Sequence, residues 1–558
     1  MSGRRSQRQC IKQRWLEATP IPPTARHRFS VVLALVYDTR LMNSEIPGEM
    51  QDVAIPGTKR MRLLLSFLVL TAGCASLEPV DLPPEYAAPP AHSELWDSLD
   101  ADAAGSWHFL LNDGPTALDW RLRAIDSASH SIDFQTFLWH FDQSGAAVLD
   151  HVLQAADRGV HVRILVDDTF LVHEDELLLA VADHPKIEYR VFNPFQRRSG
   201  SLATRQLLNL AEFRRLDHRM HNKAMVVDNQ VAIVGGRNIA DEYFGLDEEA
   251  NFRDLELLLG GSVVQEISAA FDRYWNDHWS IPIETISHAK AAAEQLSEAR
   301  DGGAALLHVH QEETPEELIR IWRQVIDGAD MGRALLFVDD PPDRNPRNRD
   351  EAPVQVANEL VRIFDEAESE ILIVSAYLIP TPHLEGAIER ALNRGVQVRI
   401  LTNSIGSNNH LTAHSAYRNH IRNLLEDGAE LHEVRTDAED RARYMQTPVG
   451  QKKLGLHAKA LVIDDDRVFV GSANLDPRSL RINTEMGFMI LSEAFNRSVR
   501  EAIEGDLARK NAWHLELQED GRVFWVGDDQ TLESQPATSF MQRIEDWFFS
   551  HLPIEDEL

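Results

Sequence analysis

The sequence predicts an α/β protein of two similar lobes, each a mixed β-sheet flanked by helices, related by a pseudo-twofold axis. An H-x-K-x4-D pattern occurs at 221–228 and again at 457–464, an offset of 236 positions. A second repeat, RGVHVRIL at 158–165 and RGVQVRIL at 394–401, has the same offset. Each half also alternates helical and buried-strand patterns, which favours a mixed sheet covered by helices on both faces.

The N-terminal region predicts export rather than a folded domain. Residues 1–60 show no pattern of a packed domain, and we expect a non-native or dispensable extension, with translation starting at Met61. Residues 61–73 are similar to a lipoprotein-type signal peptide, with basic residues, a short apolar run and a small-residue end before Cys74. We expect Cys74 to carry a lipid anchor and 74–95 to act as a tether, which predicts a membrane-anchored protein of the bacterial cell envelope.

The remaining chain divides into two halves of ordinary domain size. We expect the first lobe at 96–290, a linker region at 291–350, and the second lobe with a C-terminal extension at 351–558. The run DDPPDRNP at 339–346 is typical of a connector, with a lid over a pocket as the alternative. The chain has only two cysteines, so its fold must rest on hydrophobic cores rather than on disulfides.

Charge argues against one class of partner. The chain carries 56 basic and 88 acidic residues, a formal net charge of −32. Such a surface repels nucleic acid and anionic lipid, so we expect no nucleic-acid partner. Attachment to a membrane is better explained by acyl chains than by a basic patch.

Each H-x-K-x4-D pattern runs into a strand hairpin. The apolar runs 224–228 and 460–464 predict strands, followed by second strands at 231–234 and 468–470 and then a glycine turn. Side chains at i and i+2 of a strand share a face, so His and Lys of each motif point the same way. The candidate residues of the two halves are His221, Lys223 and Asn238, and His457, Lys459 and Asn474.

Two imidazoles, two ammonium groups and two amides in one pocket suit a phosphodiester. Lys and Asn donors bind the non-bridging oxygens and stabilise charge that develops in the transition state. One neutral imidazole can attack phosphorus, and the second can serve as general acid and base. The two lysines can do the electrostatic work of a divalent cation, so we expect no metal and no cofactor. A single His-x-Lys on a strand is usually a surface or core pair, but duplication with matched neighbours reverses that interpretation.

Four carboxylates accompany the motifs. Asp228 and Asp464 complete the catalytic patterns, although we expect them to hold the strand–turn geometry rather than to touch substrate. Asp254 and Glu485 lie downstream, and we expect each to orient a catalytic imidazole.

These motifs, with VGGRNIADEYF at 234–244 and GSANLDPRS at 471–479, resemble the phospholipase D superfamily, and within it bacterial cardiolipin synthases of the C type. The resemblance runs from about Tyr86 to the C-terminus and implies one active site shared by two phospholipase D-like lobes. It also implies a phospholipid phosphatidyltransferase that makes cardiolipin on phosphatidylglycerol, with phosphatidylethanolamine or a second phosphatidylglycerol as donor. By the same resemblance His221 is the nucleophile and His457 the general acid and base. Arg237 stands where many relatives have a small residue.

Other functions remain open at this stage. Water could take the phosphatidyl group, which would make the protein a phospholipase D-type hydrolase or phosphodiesterase. A nuclease is disfavoured by the acidic charge, and a scaffold with a dead site by two intact motifs.

Three further features allow two interpretations each. A basic stretch could attract anionic headgroups or form a solvated helix face; its members are Arg197, Arg198, Arg205, Arg214, Arg215 and Arg219. His410 and His414 have the i, i+4 spacing of metal ligands, but we expect headgroup contact or packing instead. A C-terminal apolar stripe predicts core packing, with contact to a bilayer interface as the alternative; it comprises Phe540, Met541, Ile544, Trp547, Phe548 and Phe549.

Overall fold

The computed structural model describes residues 77–99, 106–198, 200–306, 313–342, 354–552, 555 and 558. The expected signal peptide, Met61 and Cys74 lie outside the described residues, as do positions 343–353 of the expected linker. Within the described ranges, no helix has the length and apolar character needed to cross a membrane.

The first lobe is built on a mixed sheet. Its strands are β1 Trp107–Leu111, β2 Ser131–Thr136, β3 His161–Asp167, β4 Ile187–Phe192, β5 Ala224–Val227, β6 Val231–Gly235, β7 Ala250–Arg253, β8 Glu256–Gly260, β9 Ser280–Pro282 and β10 Asp330–Met331. Nine of the described strands form the sheet in the order β10-β1-β8-β6-β5-β2-β3-β4-β9. Strands β2, β3 and β4 are parallel, and the hairpin β5–β6 joins them in antiparallel fashion.

The second lobe repeats this arrangement. Its strands are β11 Arg333–Val338, β12 Glu370–Ser375, β13 Gln397–Asn403, β14 Glu430–Val434, β15 Lys453–Leu456, β16 Lys459–Ile463, β17 Arg467–Gly471, β18 Met486–Leu491, β19 Ala512–Leu517, β20 Val523–Val526 and β21 Thr531–Leu532. Ten of the described strands follow the order β11-β18-β17-β16-β12-β13-β14-β19-β20-β21. Eight consecutive strands of the first sheet, from β1 to β9, correspond in order and direction to those from β11 to β19 of the second, so the predicted two-lobed α/β fold is confirmed.

Helices flank both faces of the sheets. Those up to the middle of the chain are α1 Glu94–Leu99, α2 Gly114–Asp126, α3 Gln143–Asp157, α4 Asp175–Ala182, α5 Leu202–Leu208, α6 Phe213–Leu216, α7 Val263–Trp275, α8 Ile283–Ile286, α9 Ala293–Leu306 and α10 Pro315–Gly328. The others are α11 Gln355–Glu366, α12 Pro382–Arg394, α13 Leu411–Tyr417, α14 Ile421–Asp427, α15 Pro477–Arg481, α16 Glu493–Glu504 and α17 Phe540–Phe549. Single turns of 3-10 helix occur at Asp168–Phe170, Leu210–Glu212 and Asp241–Tyr243.

The two sheets meet through a common apolar core. One face of the first sheet, including Val226 and Val234, belongs to the same buried cluster as Val462 and Val470 of the second. The opposite faces pack against each lobe's own helices, so alternate residues of the central strands enter different cores. This packing holds the two lobes face to face and fixes the relative position of their motifs.

The region expected to be a linker is not a bare connector. Helices α9 and α10 pack on the first lobe, where Trp322 is fully buried and its indole donates to Ser127 Oγ at 2.8 Å. Strand β10 extends the first sheet and β11 edges the second. The expected tether also lies against the lobe, since the backbone N–H of Ala91 donates to the Asp228 carbonyl at 2.9 Å.

The C-terminal stripe forms α17, and the expectation that it packs in the core is wrong. Phe540 is 75% exposed and Trp547 56% exposed. The apolar spacing predicts the helix correctly. It does not predict which way the apolar side faces, because a surface helix and a core helix can have the same periodicity.

Candidate active site

Backbone pairing between the lobes positions the two histidines. His221 lies just before β5, and its N–H donates to the Thr484 carbonyl of the second lobe at 2.9 Å. His457 lies just before β16, and its N–H donates to the Arg253 carbonyl of the first lobe at 2.8 Å. Strands β7 and β15 also pair in parallel across the lobes. Each histidine is therefore anchored to the opposite lobe by its own main chain.

The imidazoles take their carboxylate partners from the opposite lobe as well. His221 Nδ1 lies 2.9 Å from both carboxylate oxygens of Glu485. His457 Nδ1 lies 2.6 Å from Asp254 Oδ2. An ionised carboxylate can only accept hydrogen bonds. Each Nδ1 therefore carries the ring hydrogen, and each Nε2 keeps a lone pair. The expected orienting contacts are present, with the partners exchanged between the lobes.

Further contacts hold the two carboxylates in place. The Ser472 hydroxyl donates to Glu485 Oε2, and the Glu485 N–H donates to Asp339 Oδ2 at 3.0 Å. At the pseudo-equivalent position in the first lobe, a Cβ on Gly236 would come within 2.3 Å of Asp254 Oδ1. Glycine is therefore required there for the close approach of Asp254, whereas serine in the second lobe uses the space to bind Glu485.

Arg237 supports the site from behind. Its buried guanidinium donates to the Asp254 carbonyl at 2.7 Å and to the Tyr243 carbonyl at 3.1 Å. It also lies 3.3 Å from Glu256, which pairs with Arg121. Arg237 thus fixes the backbone at Asp254 and does not line the cavity.

The electrostatics of the carboxylates and imidazoles are set by burial and by each other. Burial alone would raise the pKa of Asp254, but His457, Lys459 and Arg237 outweigh it and hold that pKa below its usual range. His221 and Lys223 lower the pKa of Glu485 against burial in the same way. Burial, followed by the Lys459 charge, lowers the pKa of His457 to about 3. Burial also lowers the pKa of His221, so both rings are neutral with anionic carboxylates beside them at neutral pH.

The two lysines lie beneath the histidines. Lys223 Nζ donates to the His221 carbonyl at 2.7 Å, and Lys459 Nζ donates to the His457 carbonyl. Neither lysine forms part of the cavity wall, but Lys223 Nζ lies 5.4 Å from the ring centre of Phe137, which does. Burial lowers the pKa of Lys223 to about 7 and that of Lys459 to about 8. Lys459 also acts on His221 and Lys223 on His457, which places all four groups within mutual electrostatic range.

Both histidines and both asparagines line one cavity of about 290 Å³ between the lobes. The side-chain oxygens of Asn238 and Asn474 have no hydrogen-bond partner in the described part of the chain. Rotating an asparagine amide by 180° exchanges the positions of its oxygen and its NH₂ group. Either asparagine can therefore turn its NH₂ toward a phosphate oxygen. Aromatic rings bracket the imidazoles: Phe137 lies 5.0 Å from His221, and Tyr243 lies 4.9 Å from His457.

The cavity wall is not electrostatically symmetric. Glu242 and Arg478 occupy equivalent positions, each the second residue of the short helix that follows the motif hairpin, at the same offset of 236. Both line the cavity, and Arg478 pairs with Asp217 at 3.0 Å. Burial, with Asp142 and Asp247 nearby, raises the pKa of Glu242 to about 7. Aligning the two halves of the sequence places Glu242 opposite Arg478. Only the structure shows that both residues line the same cavity, so the sequence alone offers no reason to single out this charge reversal.

Asp228 and Asp464 do not belong to the cavity, and their grouping with the catalytic residues is corrected. Asp228 accepts from the N–H groups of His130 and Ser131 at 2.7 and 2.9 Å and from the Trp96 indole at 2.8 Å. Asp464 accepts from Ser369 N at 2.7 Å. Both carboxylates end the motif strand at the side away from the histidine, and both residues have positive φ, 54° and 48°. They fix the strand–turn geometry, which is the role that the sequence predicts for them.

The basic stretch is neither a solvated face nor a free anion-binding patch. Four of its side chains are buried in ion pairs with nearby acids: Arg198 with Asp168 and Asp175, Arg205 with Asp168, Arg215 with Glu212, and Arg219 with Asp167. Only Arg219 among the six also lines the cavity. Except for Glu212, three positions before Arg215, the acids lie 23 to 52 positions away from their arginines, so the sequence alone could not pair them.

The His410–His414 pair is divided between two environments. His410 lines the cavity, and burial lowers its pKa to about 4. His414 is buried, with Nδ1 3.0 Å from Asp546 Oδ1 of α17. One cluster with metal-ligand chemistry occurs among the described residues, Glu85, His161 and Glu188, but it lies away from the cavity. Arg190 lies 3.3 Å from Glu188, which makes that cluster a poor cation site.

Comparison with known proteins agrees with this geometry. A family model described as "Cardiolipin synthase, PLD-like domain" matches residues 122–275 and 360–507. Cardiolipin synthase C of Escherichia coli strain K12 is 34% identical over 459 residues, 80% of this chain and 95% of that protein. A cardiolipin synthase of Oceanobacillus iheyensis is 24% identical over 416 residues, 74% and 71% of the two chains. The crystal structure of phosphatidylserine synthase from Haemophilus influenzae has the same fold, with a TM-score of 0.50, 13% identity, and coverage of 76% and 92%.

Proposed function

Since the chain belongs to the phospholipase D superfamily of enzymes, we propose that it is a phosphatidyltransferase that makes cardiolipin. The phosphatidyl group comes from phosphatidylethanolamine or phosphatidylglycerol, and a second phosphatidylglycerol accepts it. The similarity to cardiolipin synthases over 80% of the chain supports this substrate class.

One observation carries the chemical part of the proposal. Two imidazoles from different lobes line a single cavity, each with Nδ1 engaged by a carboxylate of the other lobe. Both reactive nitrogens are therefore Nε2, and both belong to the same enclosed space. A phosphorus atom bound between the rings has a nucleophile on one side and a proton donor on the other, as a two-step displacement requires.

In the first step, Nε2 of His221 attacks the donor phosphorus, and the bond from phosphorus to the headgroup oxygen breaks. His457, protonated, gives its proton to that oxygen, and ethanolamine or glycerol leaves. The product is a phosphatidyl group bonded to His221 through a P–N bond. Glu485 stabilises the positive charge that the attacking ring acquires.

In the second step, neutral His457 takes the proton from a glycerol hydroxyl of phosphatidylglycerol. That oxygen attacks phosphorus, the P–N bond breaks, and cardiolipin forms with His221 restored. The two steps balance without any oxidant or reductant. The Asn238 and Asn474 amides and the ammonium groups of Lys223 and Lys459 stabilise charge on the phosphoryl oxygens in both steps.

The protonation states of the two imidazoles before and after substrate binding support these roles. Both imidazoles are neutral before binding because burial and the lysine charges lower their pKa values. An anionic phosphodiester beside His457 raises its pKa, since an opposite charge favours the protonated ring. Substrate thus brings the acid into its active form.

We further propose that the chain is a lipoprotein of the bacterial cell envelope, anchored through Cys74. The support is the sequence of residues 61–74, with its basic start, apolar run and terminal cysteine. An acyl anchor suits a chain of net charge −32, which anionic membranes repel.

The proposed reaction is tested with the purified full chain in detergent containing phosphatidylglycerol, with and without phosphatidylethanolamine, and chelator. Lipids are then analysed by mass spectrometry. Cardiolipin is the expected product, and it disappears in the His221→Ala and His457→Ala variants. Phosphatidic acid as the only product would overturn the synthase assignment in favour of hydrolysis.

A further inference from the structure

Helix α17 presents an apolar face to solvent. Its exposed large side chains follow a helical stripe at positions i, i+1, i+4, i+7 and i+8: Phe540, Met541, Ile544, Trp547 and Phe548, with exposed fractions of 75%, 61%, 44%, 56% and 55%. Single exposed apolar residues are common on proteins, but a contiguous stripe of this size marks an interaction surface.

The opposite side of the helix is fixed to the second lobe by polar contacts. Asp546 is fully buried and accepts from Arg418 NH1 at 2.7 Å and from Ser415 Oγ at 3.0 Å. The Gln542 amide donates to the Ile405 carbonyl at 2.8 Å. These contacts hold α17 on α13, so the apolar stripe faces outward because the fold turns it that way.

Helix α17 packs on a helix that forms part of the wall of the candidate active site. Helix α13, on which α17 lies, contributes Ala413 to the cavity wall, and His410 at its N-cap also lines the cavity. The first lobe contributes Leu207 and Leu210, which line the cavity and are 42% and 39% exposed. Residues that are both cavity-lining and solvent-exposed lie at the mouth. The first lobe therefore places exposed leucines at the opening, and the second lobe holds α17 on the helix that contributes Ala413 to the cavity wall.

We propose that α17 and the leucines of the first lobe form a docking surface for the phospholipid bilayer, through which lipid enters the cavity. This inference rests on the proposed function. A bilayer is the occupant that fits an opening into a phospholipid cavity, because a second copy of the chain seated there would close the cavity to its substrate. The two patches belong to different lobes, and the cavity lies between those lobes.

Charge determines how this surface binds. The chain has a net charge of −32, and α17 itself carries Arg543 against Glu545 and the buried Asp546. Attraction to anionic headgroups therefore cannot drive docking. Binding must come from burial of the apolar stripe in the interface, which salt does not weaken.

The test uses the full chain with Cys74→Ser, so that no acyl anchor contributes to binding. The test variant is Phe540→Glu/Trp547→Glu/Phe548→Glu. The control is Leu82→Glu/Met331→Glu/Val354→Glu, which adds the same charge at three exposed apolar positions that do not line the cavity. Flotation with vesicles of phosphatidylethanolamine and phosphatidylglycerol gives the bound fraction at low and high salt. Turnover is measured on the same vesicles and on dihexanoyl phosphatidylglycerol below its critical micelle concentration.

The test variant is expected to lose at least tenfold in vesicle partitioning and in vesicle turnover, while turnover of the short-chain lipid stays within twofold of the control. Equal partitioning of both variants would overturn the docking surface. Dimerisation through this face would also overturn it. Sedimentation would then show a dimer for the parent chain and a monomer for the test variant. Hydrogen exchange of the unsubstituted chain gives a second readout, with protection by vesicles expected over 540–549. Absence of short-chain turnover in the parent would count against the proposed function alone, since partitioning is measured independently.

Discussion

His221 and Glu485 lie in different lobes, yet the imidazole Nδ1 of the first is 2.9 Å from the carboxylate of the second. The same exchange joins His457 to Asp254 at 2.6 Å. Neither histidine can therefore hold its reactive orientation unless both lobes are present and docked. The active site is a property of the interface between the lobes rather than of either motif.

Replacement of the exchanged carboxylates should abolish most activity without unfolding the chain. In Glu485→Gln or Asp254→Asn the amide can donate to Nδ1, which moves the ring hydrogen to Nε2 and removes the reactive lone pair. We expect a loss in kcat of about 100- to 10,000-fold. The matched control is Glu433→Gln. Glu433 is a buried acid that does not line the cavity, and burial raises its pKa to about 8, so it is already neutral at pH 7. Control activity falling as far as that of Glu485→Gln would contradict a specific role for the carboxylates.

The exchange explains which parts of the site the sequence could predict. The duplicated motif is local information, so its spacing in the sequence is enough to identify the His, Lys and Asn of each half. The pairing of His457 with Asp254 depends on the β7–β15 contact, and that of His221 with Glu485 on the bridge between Met220 and Thr484; both join segments far apart in the chain. The pairing of Arg198 and Arg219 with acids of the β3 end, and the outward orientation of α17, depend on tertiary packing in the same way.

Activity should fall on the alkaline side of neutrality because the lysines lose their charge there. The pKa of Lys223 is lowered to about 7 and that of Lys459 to about 8, so the ammonium forms predominate only below these values in the free protein. We expect kcat/KM, which reports free-enzyme groups, to decrease as pH rises through this window. Arginine stays protonated throughout, so Lys223→Arg should move the first part of the decrease to higher pH. An unchanged alkaline limb in that variant would exclude Lys223 as its origin.

Asp228 and Asp464 should matter for stability rather than for chemistry. Asp228→Ala removes the carboxylate that accepts from the partly buried N–H groups of residues 129–131, at a cost of about 1–3 kcal/mol in the free energy of unfolding. Urea denaturation measures this loss, and turnover per folded molecule at low temperature should stay within about threefold of the parent. A loss of turnover with unchanged stability would return Asp228 to the catalytic group.

The stabilisation from Asp464 should depend on acid pH in a defined direction. Backbone N–H bonds from 368–370 lower its pKa from 3.8 to about 2 against the effect of burial, which would raise it. A depressed carboxylate stabilises the folded chain above the unfolded value and loses that contribution as pH falls toward the folded value. The gap in urea midpoint between the parent and Asp464→Asn should therefore be constant from pH 7 to about 5 and narrow below about 4. A gap that widens on acidification would contradict the sign.

Glu242 should favour a donor with a positively charged headgroup. It lines the cavity at the position where the other lobe has Arg478, and no ion pair neutralises it among the described residues. Glu242→Gln is expected to lower kcat/KM with phosphatidylethanolamine about fivefold to tenfold more than with phosphatidylglycerol as donor, since the ammonium loses a charged partner. Glu249→Gln, an acid of the following loop that does not line the cavity, serves as the control. Equal losses for both donors would remove Glu242 from headgroup selection.

The central claim is that one phosphorus atom is handled by both imidazoles, with a covalent intermediate on one of them. The direct measurement uses a phosphatidyl p-nitrophenyl ester, whose leaving group needs no proton, and follows p-nitrophenolate release in the first turnover. His457→Ala should give a stoichiometric burst and accumulate a phosphatidyl adduct whose P–N bond is broken by acid and survives alkali, mapped by mass spectrometry to His221. His221→Ala should give no burst. A burst in neither variant, or an adduct on a residue other than these two histidines, would contradict the shared site.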